Sequence, residues 1–397
     1  MLGAGLEQSL AIKSAKQLGM RVIACDANSN APGFEYADVS HCLKLQDITQ
    51  LIAIAKEENI DGVFSHGVEI PEIVAKLTDA LGLPGITLEV AELCLNKHQR
   101  LSRLQDRGVR CPDFSVYYSF DELLAQLETT ALPVIVKPTR LSGARGVILI
   151  TGLDDIEILK VAYKTFGSAY TFIVEEVLSG LQLSTESVVH DGQIITFAIA
   201  DRNYEHSSEL YPHLIEDGIN FPSTISDRLR QEVLNVVEDA IKCLGINSGA
   251  AKGDLIIHNG KPYVIEMAAR TSGGWFSAGS IKYATGIDNL TPLLEMAVGE
   301  KPNLSLLKPK YNKFCAQRYW ISRETGTFQG MKDLNNSEDM DGVVMFEKFF
   351  PKTGTKMKKA ESHSDRFAQV IVVGDNIHEV KLSAKNVIRN LKVELKK

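Results

Sequence analysis

Two acids on the arms of one hairpin pattern hold the densest chemistry in this sequence. They stand at the ends of Asp254-Leu255-Ile256-Ile257-His258-Asn259-Gly260-Lys261-Pro262-Tyr263-Val264-Ile265-Glu266. Register decides whether they meet. A two-residue Asn-Gly loop places Asp254 and Glu266 on opposite faces. A three-residue loop, His258-Asn259-Gly260 with glycine left-handed, places both on one face as diagonal neighbours roughly 7–8 Å apart, and this is the expectation. Two carboxylates on an otherwise apolar hairpin are costly to bury unless a cation neutralises them, and an oxygen-only ligand pair favours Mg²⁺ bridging nucleotide phosphates. Arg270 follows, then Thr271-Ser272-Gly273-Gly274. An arginine and a glycine turn beside such a pair suit a carboxylate or an acyl phosphate; a Glu266–Arg270 salt bridge is the plainer alternative.

Three further groups are candidates. Val134-Ile135-Val136-Lys137-Pro138 delivers a lysine ahead of Ser142-Gly143-Ala144-Arg145-Gly146, a small-residue loop whose backbone N–H groups can approach phosphate oxygens closely. A simple hairpin turn explains the same residues. Ile173-Val174-Glu175-Glu176-Val177 is an apolar strand ending in acids, suited to an adenine edge and a ribose, or else a pair of exposed edge acids. Gly3-Ala4-Gly5 with Asp26 resembles the start of a dinucleotide fingerprint, but Gln8 stands where the third glycine belongs.

These groups must be positioned by elements that the pattern predicts. Up to about Val90, short apolar runs (Val22 to Cys25, Gly62 to Ser65) alternate with helical periodicity at Leu10–Leu18, Ile48–Glu57 and Ile70–Leu81, an α/β unit with a parallel sheet. The glycine turn at Gly3 arrives with almost no strand before it, so either the true start lies upstream or that strand is missing. Leu93–Arg107 reads as one helix. Strands follow at Pro133–Thr139, Gly146–Ile150, Phe172–Leu178, Ser184–His190 and Gln193–Ala200, then an amphipathic helix at Ser226–Leu244, an α+β core. A third unit begins near residue 305 and ends in a strand, Gln369–Val373, and a helix, Ile377–Leu391.

Composition bounds the function. The 397 residues are 44% hydrophobic and 23% charged, enough for two or three cores. The formal charge of −7, without a dense basic run, argues against nucleic acid as partner, and the Lys352–Lys359 stretch reads as a solvated loop. Cys25, Cys42, Cys94, Cys111, Cys243 and Cys315 lie scattered, as buried thiols in a reducing cytoplasm do. No apolar run reaches the ~20 residues of a membrane span. A cytoplasmic location is therefore expected.

Taken in order, Lys97, Lys137, the Ser142–Gly146 loop, Glu175-Glu176, Asp254 and Glu266-x-x-x-Arg270 resemble the ATP-grasp superfamily. The end of the chain, with Ser364-Asp365-Arg366, is similar to the third domain of biotin carboxylase and of the L-amino-acid ligases. The resemblance implies α/β and α+β architecture: a Rossmann-like pre-ATP-grasp domain at 1–90, an ATP-grasp domain at 91–304 with a small lobe at about 115–180, and a cap at 305–397. It implies ATP between the lobes, with Lys97 and Lys137 on phosphates and Ser142, Gly143, Arg145 and Gly146 covering them. Glu175, Glu176 and Val177 would meet the nucleoside, Asp254 and Glu266 would bind Mg²⁺ or Mn²⁺, and Arg270 would hold an acyl phosphate. Two positions depart from the pattern. Gln182 stands where a ribose-binding glutamate is usual, and Ala268 where a metal-site asparagine is usual.

The implied activity is a carboxylate–amine ligase for small-molecule acid and amine substrates, catalysed mainly by Arg270 and Lys137. Glu216 would receive an amino group, or is an exposed turn; Ser272, Gly273 and Gly274 would hold the acid. Trp275 and Phe276 would wall an acyl pocket or belong to the core, and His206 and His213 would be bases toward the amine. A homodimer rests on the family's habit alone. The alternatives are a bicarbonate-phosphorylating or carbamoyl-forming enzyme, a degenerate nucleotide-binding module, and a dehydrogenase resting on Gly3, Gly5 and Asp26.

Overall fold

The computed structural model describes residues 1–164 and 171–397. At the N-terminus β1 (Ile23–Asp26) and β2 (Val39–Cys42) pair in parallel. Leu2 adds single parallel bridges to Cys25 and to Ser65. The expected Gly62–Ser65 strand is thus corrected to one bridge, with the Leu2 N–H donating to the Phe64 carbonyl at 2.9 Å. Helices Gln8–Gln17, Ile48–Glu57 and Pro71–Leu81 cover this small sheet. The last opens with proline in its first turn, where no N–H is needed, and closes on left-handed Gly82. Asp26 turns back onto the glycine turn, its Oδ2 accepting the Ala4 N–H at 2.7 Å and its Oδ1 the Asn28 N–H at 2.8 Å. Its acceptors serve the local backbone, which leaves the dinucleotide reading without its ribose acid.

The single helix expected over Leu93–Arg107 is two, Leu88–Leu95 and Lys97–Asp106. Asn96 breaks them by taking an extended conformation, and its side chain accepts the Gln99 N–H as cap of the second helix. The break puts Lys97 at a helix start, where its N–H reaches the Thr139 carbonyl.

A four-stranded antiparallel sheet follows: β3 (Phe114–Tyr117), β4 (Val134–Pro138), β5 (Ile148–Ile150) and β6 (Phe172–Glu176), in the order β3-β6-β4-β5. Leu123, Leu159, Val136, Ile150 and Phe172 form its own buried core. Between β4 and β5 the loop passes through left-handed Gly143, Ala144 and Gly146.

The main sheet has eight strands in the order β11-β10-β7-β8-β9-β12-β16-β14. Five come before residue 305: β7 (Leu181–His190), β8 (Gln193–Asn203), β9 (Gly218–Phe221), β10 (Gly249–His258) and β11 (Lys261–Ala268). After it come β12 (Phe314–Ile321), β14 (Val343–Lys348) and β16 (Arg366–Gly374), while β13 (Gly326–Asp333), β15 (Lys356–Met357) and β17 (Leu391–Lys396) form a separate three-stranded sheet in the order β15-β13-β17. β12 pairs with β9, so one sheet runs across that boundary. Helix Asp227–Leu244, capped by Ser226 and ended by left-handed Gly245, buries Val233, Val237, Ala240, Ile241 and Leu244 against one face. The spacing of three and four makes that stripe. Beyond the helix Ile377–Asn390 the chain ends in β17, paired with β13, a strand the pattern did not announce because only Leu391, Val393 and Leu395 alternate among charged residues. Among the described residues no helix is long and apolar enough to cross a membrane.

Candidate functional site

Asn259 and Gly260 close the β10–β11 hairpin as a two-residue turn, both left-handed (φ +49° and +74°), and His258 pairs with Lys261. The expected three-residue loop is corrected, since Asn-Gly supplies the two positive φ angles that a tight hairpin turn needs. That turn alone would set Asp254 opposite Ile265 and send Glu266 to the other face. Instead the register shifts between Asp254 and Leu255, Ile265 is left as a bulge, and Asp254 lies directly across from Glu266. One extra residue reverses the side-chain alternation and restores a shared face.

The pair meets a lysine absent from the expectations. Lys252, two residues before Asp254 and therefore on the same face, puts Nζ 2.5 Å from Asp254 Oδ2 and 3.1 Å from Glu266 Oε2. An Arg202 guanidinium nitrogen lies 2.9 Å from Asp254 Oδ2, and Ser184 Oγ donates to Asp254 Oδ1 at 2.8 Å. Burial works against charge on both acids. For Asp254 it is outweighed by Arg202 and Lys252, which hold the carboxyl below its ordinary range. For Glu266, Lys252, Arg100, Arg270 and Lys97 outweigh it and hold the carboxyl far below. Both acids thus stay ionised and offer oxygens only, a donor set that fits a hard divalent ion such as Mg²⁺ or Mn²⁺. Among the described residues no group of three or more acids, histidines or cysteines is arranged to hold a metal, so phosphates and water would complete the coordination.

In the four-stranded sheet, Lys137 of β4 pairs with Glu175 of the neighbouring β6 at 2.5 Å, both buried. Lys97 donates to the Leu141 carbonyl in the loop, and burial lowers its pKa to about 8. Both lysines, Ser142 and Gly143 line a cleft of about 740 Å³ that also contains Asp254, Glu266 and Arg270. Arg145 and Gly146 do not line it. Arg145 folds back on its own loop, its Nε donating to Ser142 O at 3.0 Å. Glu176 is exposed and turned away, accepting the Asp113 N–H at 2.9 Å, and Val177 is half-buried just past β6. Gln182 lies at the cleft and accepts the Tyr204 hydroxyl at 2.9 Å.

The turn after β11 is held by two acids, Glu186 buried and Glu7 mostly so. Glu186 accepts the Ser272 N–H at 3.1 Å and the Ser272 hydroxyl at 2.5 Å. Glu7, from the N-terminal unit, accepts the N–H groups of Gly274 and Trp275. Gly273 cannot carry a side chain, because a Cβ would stand 2.9 Å from the Gly67 carbonyl oxygen. Arg270 pairs with Glu69 at 3.2 Å rather than with Glu266, and among the described residues its Nε has no partner. Glu216 is not an exposed turn. It is buried, 2.6 Å from Arg202 Nε and 3.6 Å from Arg366, whose guanidinium lies 4.0 Å over the Tyr319 ring. A carboxylate already facing two guanidiniums is a poor receiver for a further ammonium group, which corrects that expectation on charge grounds. Trp275 and Phe276 join both readings, lining the cleft while packing in a core cluster.

His206 and His213 do not line the cleft. His206 pairs with Glu209 at 3.0 Å. His363 does line it, and burial among Arg366, Arg202 and Lys252 holds it neutral. Lys252 was readable from its spacing of two before Asp254. Glu7, Glu69, Arg202 and His363 reach the cleft from distant segments and carry no local signal, whereas Arg366 stands in the Ser364-Asp365-Arg366 segment singled out from the sequence.

The family described as ATP-grasp domain matches residues 94–274, and that described as L-amino acid ligase C-terminal domain 2 matches residues 318–396. An uncharacterized protein of Sinorhizobium fredii is 23% identical over 324 residues, 81% of this chain and 65% of its own length. Alanine–anticapsin ligase of Bacillus subtilis is 25% identical over 272 residues, 63% of this chain and 56% of its own length. The match thus spans less than two thirds of either relative. The crystal structure of L-amino acid ligase from Bacillus licheniformis shares the fold at a TM-score of 0.85, with 21% identity over 100% of this chain and 98% of that one.

Proposed function

We propose that this chain, which carries an ATP-grasp domain followed by an L-amino acid ligase C-terminal domain, is an ATP-dependent carboxylate–amine ligase acting on an amino acid or a related small acid. The observation that carries the reading is the ionised Asp254–Glu266 pair in one cleft that Lys97, Lys137, Arg270 and the Ser272–Gly274 turn also line. Paired acids in a cleft also lined by these cations suit polyphosphate with a divalent ion beside a carboxylate to be activated.

In this reading a carboxylate oxygen of the acid attacks the γ-phosphorus of ATP and the bond to the β-phosphate oxygen breaks, giving ADP and an acyl phosphate. Lys97 and Lys137 bind the phosphates. A Mg²⁺ held by Asp254 and Glu266 would neutralise charge on the β- and γ-oxygens. Arg270 orients the acyl phosphate, whose carbonyl carbon then accepts the amine nitrogen; phosphate leaves and the nitrogen loses a proton. Arg202 and Arg366, held by Glu216, supply positive charge for the acid end of a substrate. The name of the Bacillus subtilis relative, an alanine ligase, supports an amino acid on one side of the bond.

The test is incubation with ATP, Mg²⁺ and pooled amino and carboxylic acids, following phosphate and ligated products by mass spectrometry. A product mass equal to two substrates less water, formed with stoichiometric phosphate, supports the reading. ATP bound but never consumed with any pool contradicts it.

A further inference from the structure

We infer that Lys252 is a resident cation of the carboxylate pair, taking the place of one divalent ion so that a single metal accompanies each bound nucleotide. The inference deepens the proposed function and rests on it for the nucleotide at this site. Its observations are independent of that reading. Lys252 is buried, and its ammonium group bridges both acids, at 2.5 Å from Asp254 and 3.1 Å from Glu266. It stands directly across the ladder from Ala268, which lies on the same face as Glu266. A methyl group at that position contributes no oxygen ligand and leaves room for the lysine stem. Two like charges opposed in a buried hairpin need about two units of neutralising charge. Lys252 supplies one of them from the protein, and Arg202, which touches Asp254 on its other side, is shared with Glu216. A second divalent ion here would face an ammonium group where it needs a ligand.

The experiment is a Mn²⁺ titration followed by electron paramagnetic resonance with a non-hydrolysable ATP analogue, counting bound manganese per bound nucleotide. The wild-type ratio is expected to be one. Lys252→Met and Lys252→Gln should each raise it to two, whereas Lys252→Arg, which keeps the charge, should leave it at one. A wild-type ratio of two overturns the inference whether or not any variant folds. So does a ratio of one in wild type and in both neutral variants. Nucleotide bound with no manganese removes the metal reading itself, and no bound nucleotide removes the ligase reading; each takes this inference with it by a distinguishable result.

Discussion

Glu7 and Trp275 lie 268 positions apart in sequence, yet the Glu7 carboxylate accepts the Trp275 N–H at 3.0 Å while its second oxygen accepts the Gly274 N–H, also at 3.0 Å. A carboxylate of the N-terminal unit thereby fixes the turn that follows the β10–β11 hairpin. Hydrogen bonds to a charged group contribute about 1.5–3 kcal/mol each, and burial offsets part of that. Glu7→Ala should therefore lower the unfolding free energy by about 2 kcal/mol in urea titrations. Glu7→Gln, which keeps an acceptor, should recover part of the loss.

The acids behind this turn also set a pH dependence. Burial raises Glu7 and Glu186 to about 7, against the hydrogen bonds that each accepts. Between about pH 4.5 and 7 the folded state binds more protons than the unfolded chain, so stability is greatest below that window and is lost as pH rises through 7. Each shift corresponds to at most about 3 kcal/mol. Urea unfolding from pH 5 to 8 should show this decline, and Glu186→Gln should flatten it. A slope unchanged by the substitution would remove Glu186 as a cause.

Lys137 and Glu175 separate a structural role from a binding one. They form a buried pair on adjacent strands, and removing one partner of such a pair costs about 3–5 kcal/mol because the other charge is stranded. Lys137→Met should destabilise the protein by about that amount, and Lys137→Met with Glu175→Leu should restore much of it. Nucleotide affinity, measured by calorimetry, should stay weak in both, since the proposed function assigns phosphate to the lysine alone.

The readable part of this protein was its periodic part. Helix Asp227–Leu244 and hairpin β7–β8 follow from apolar spacing and an Asp191-Gly192 turn. Asp254 and Glu266 share a face as their spacing predicts, but for a different geometric reason: a bulge at Ile265, rather than a longer loop, brings them together. A bulge leaves no compositional mark in a strand that reads Tyr263-Val264-Ile265. Asn96 is a capping residue by type, yet apolar periodicity on both sides of it masks the break between two helices. Contacts such as His66 with Thr271 or Arg202 with Asp254 depend on how segments meet in space, and single positions far apart in the chain announce no such meeting.

The most direct test of the account is to trap the activated acid. Protein, ATP, Mg²⁺, pooled acids and hydroxylamine in place of the amine should yield a hydroxamate of one acid with equimolar phosphate. Glu266→Ala should abolish it, and Arg270→Ala should reduce it on the order of 10²-fold, as expected for loss of a donor to the reacting group. Phosphate release without hydroxamate, or hydroxamate formed equally well by Glu266→Ala, would contradict an acyl phosphate made at this carboxylate pair.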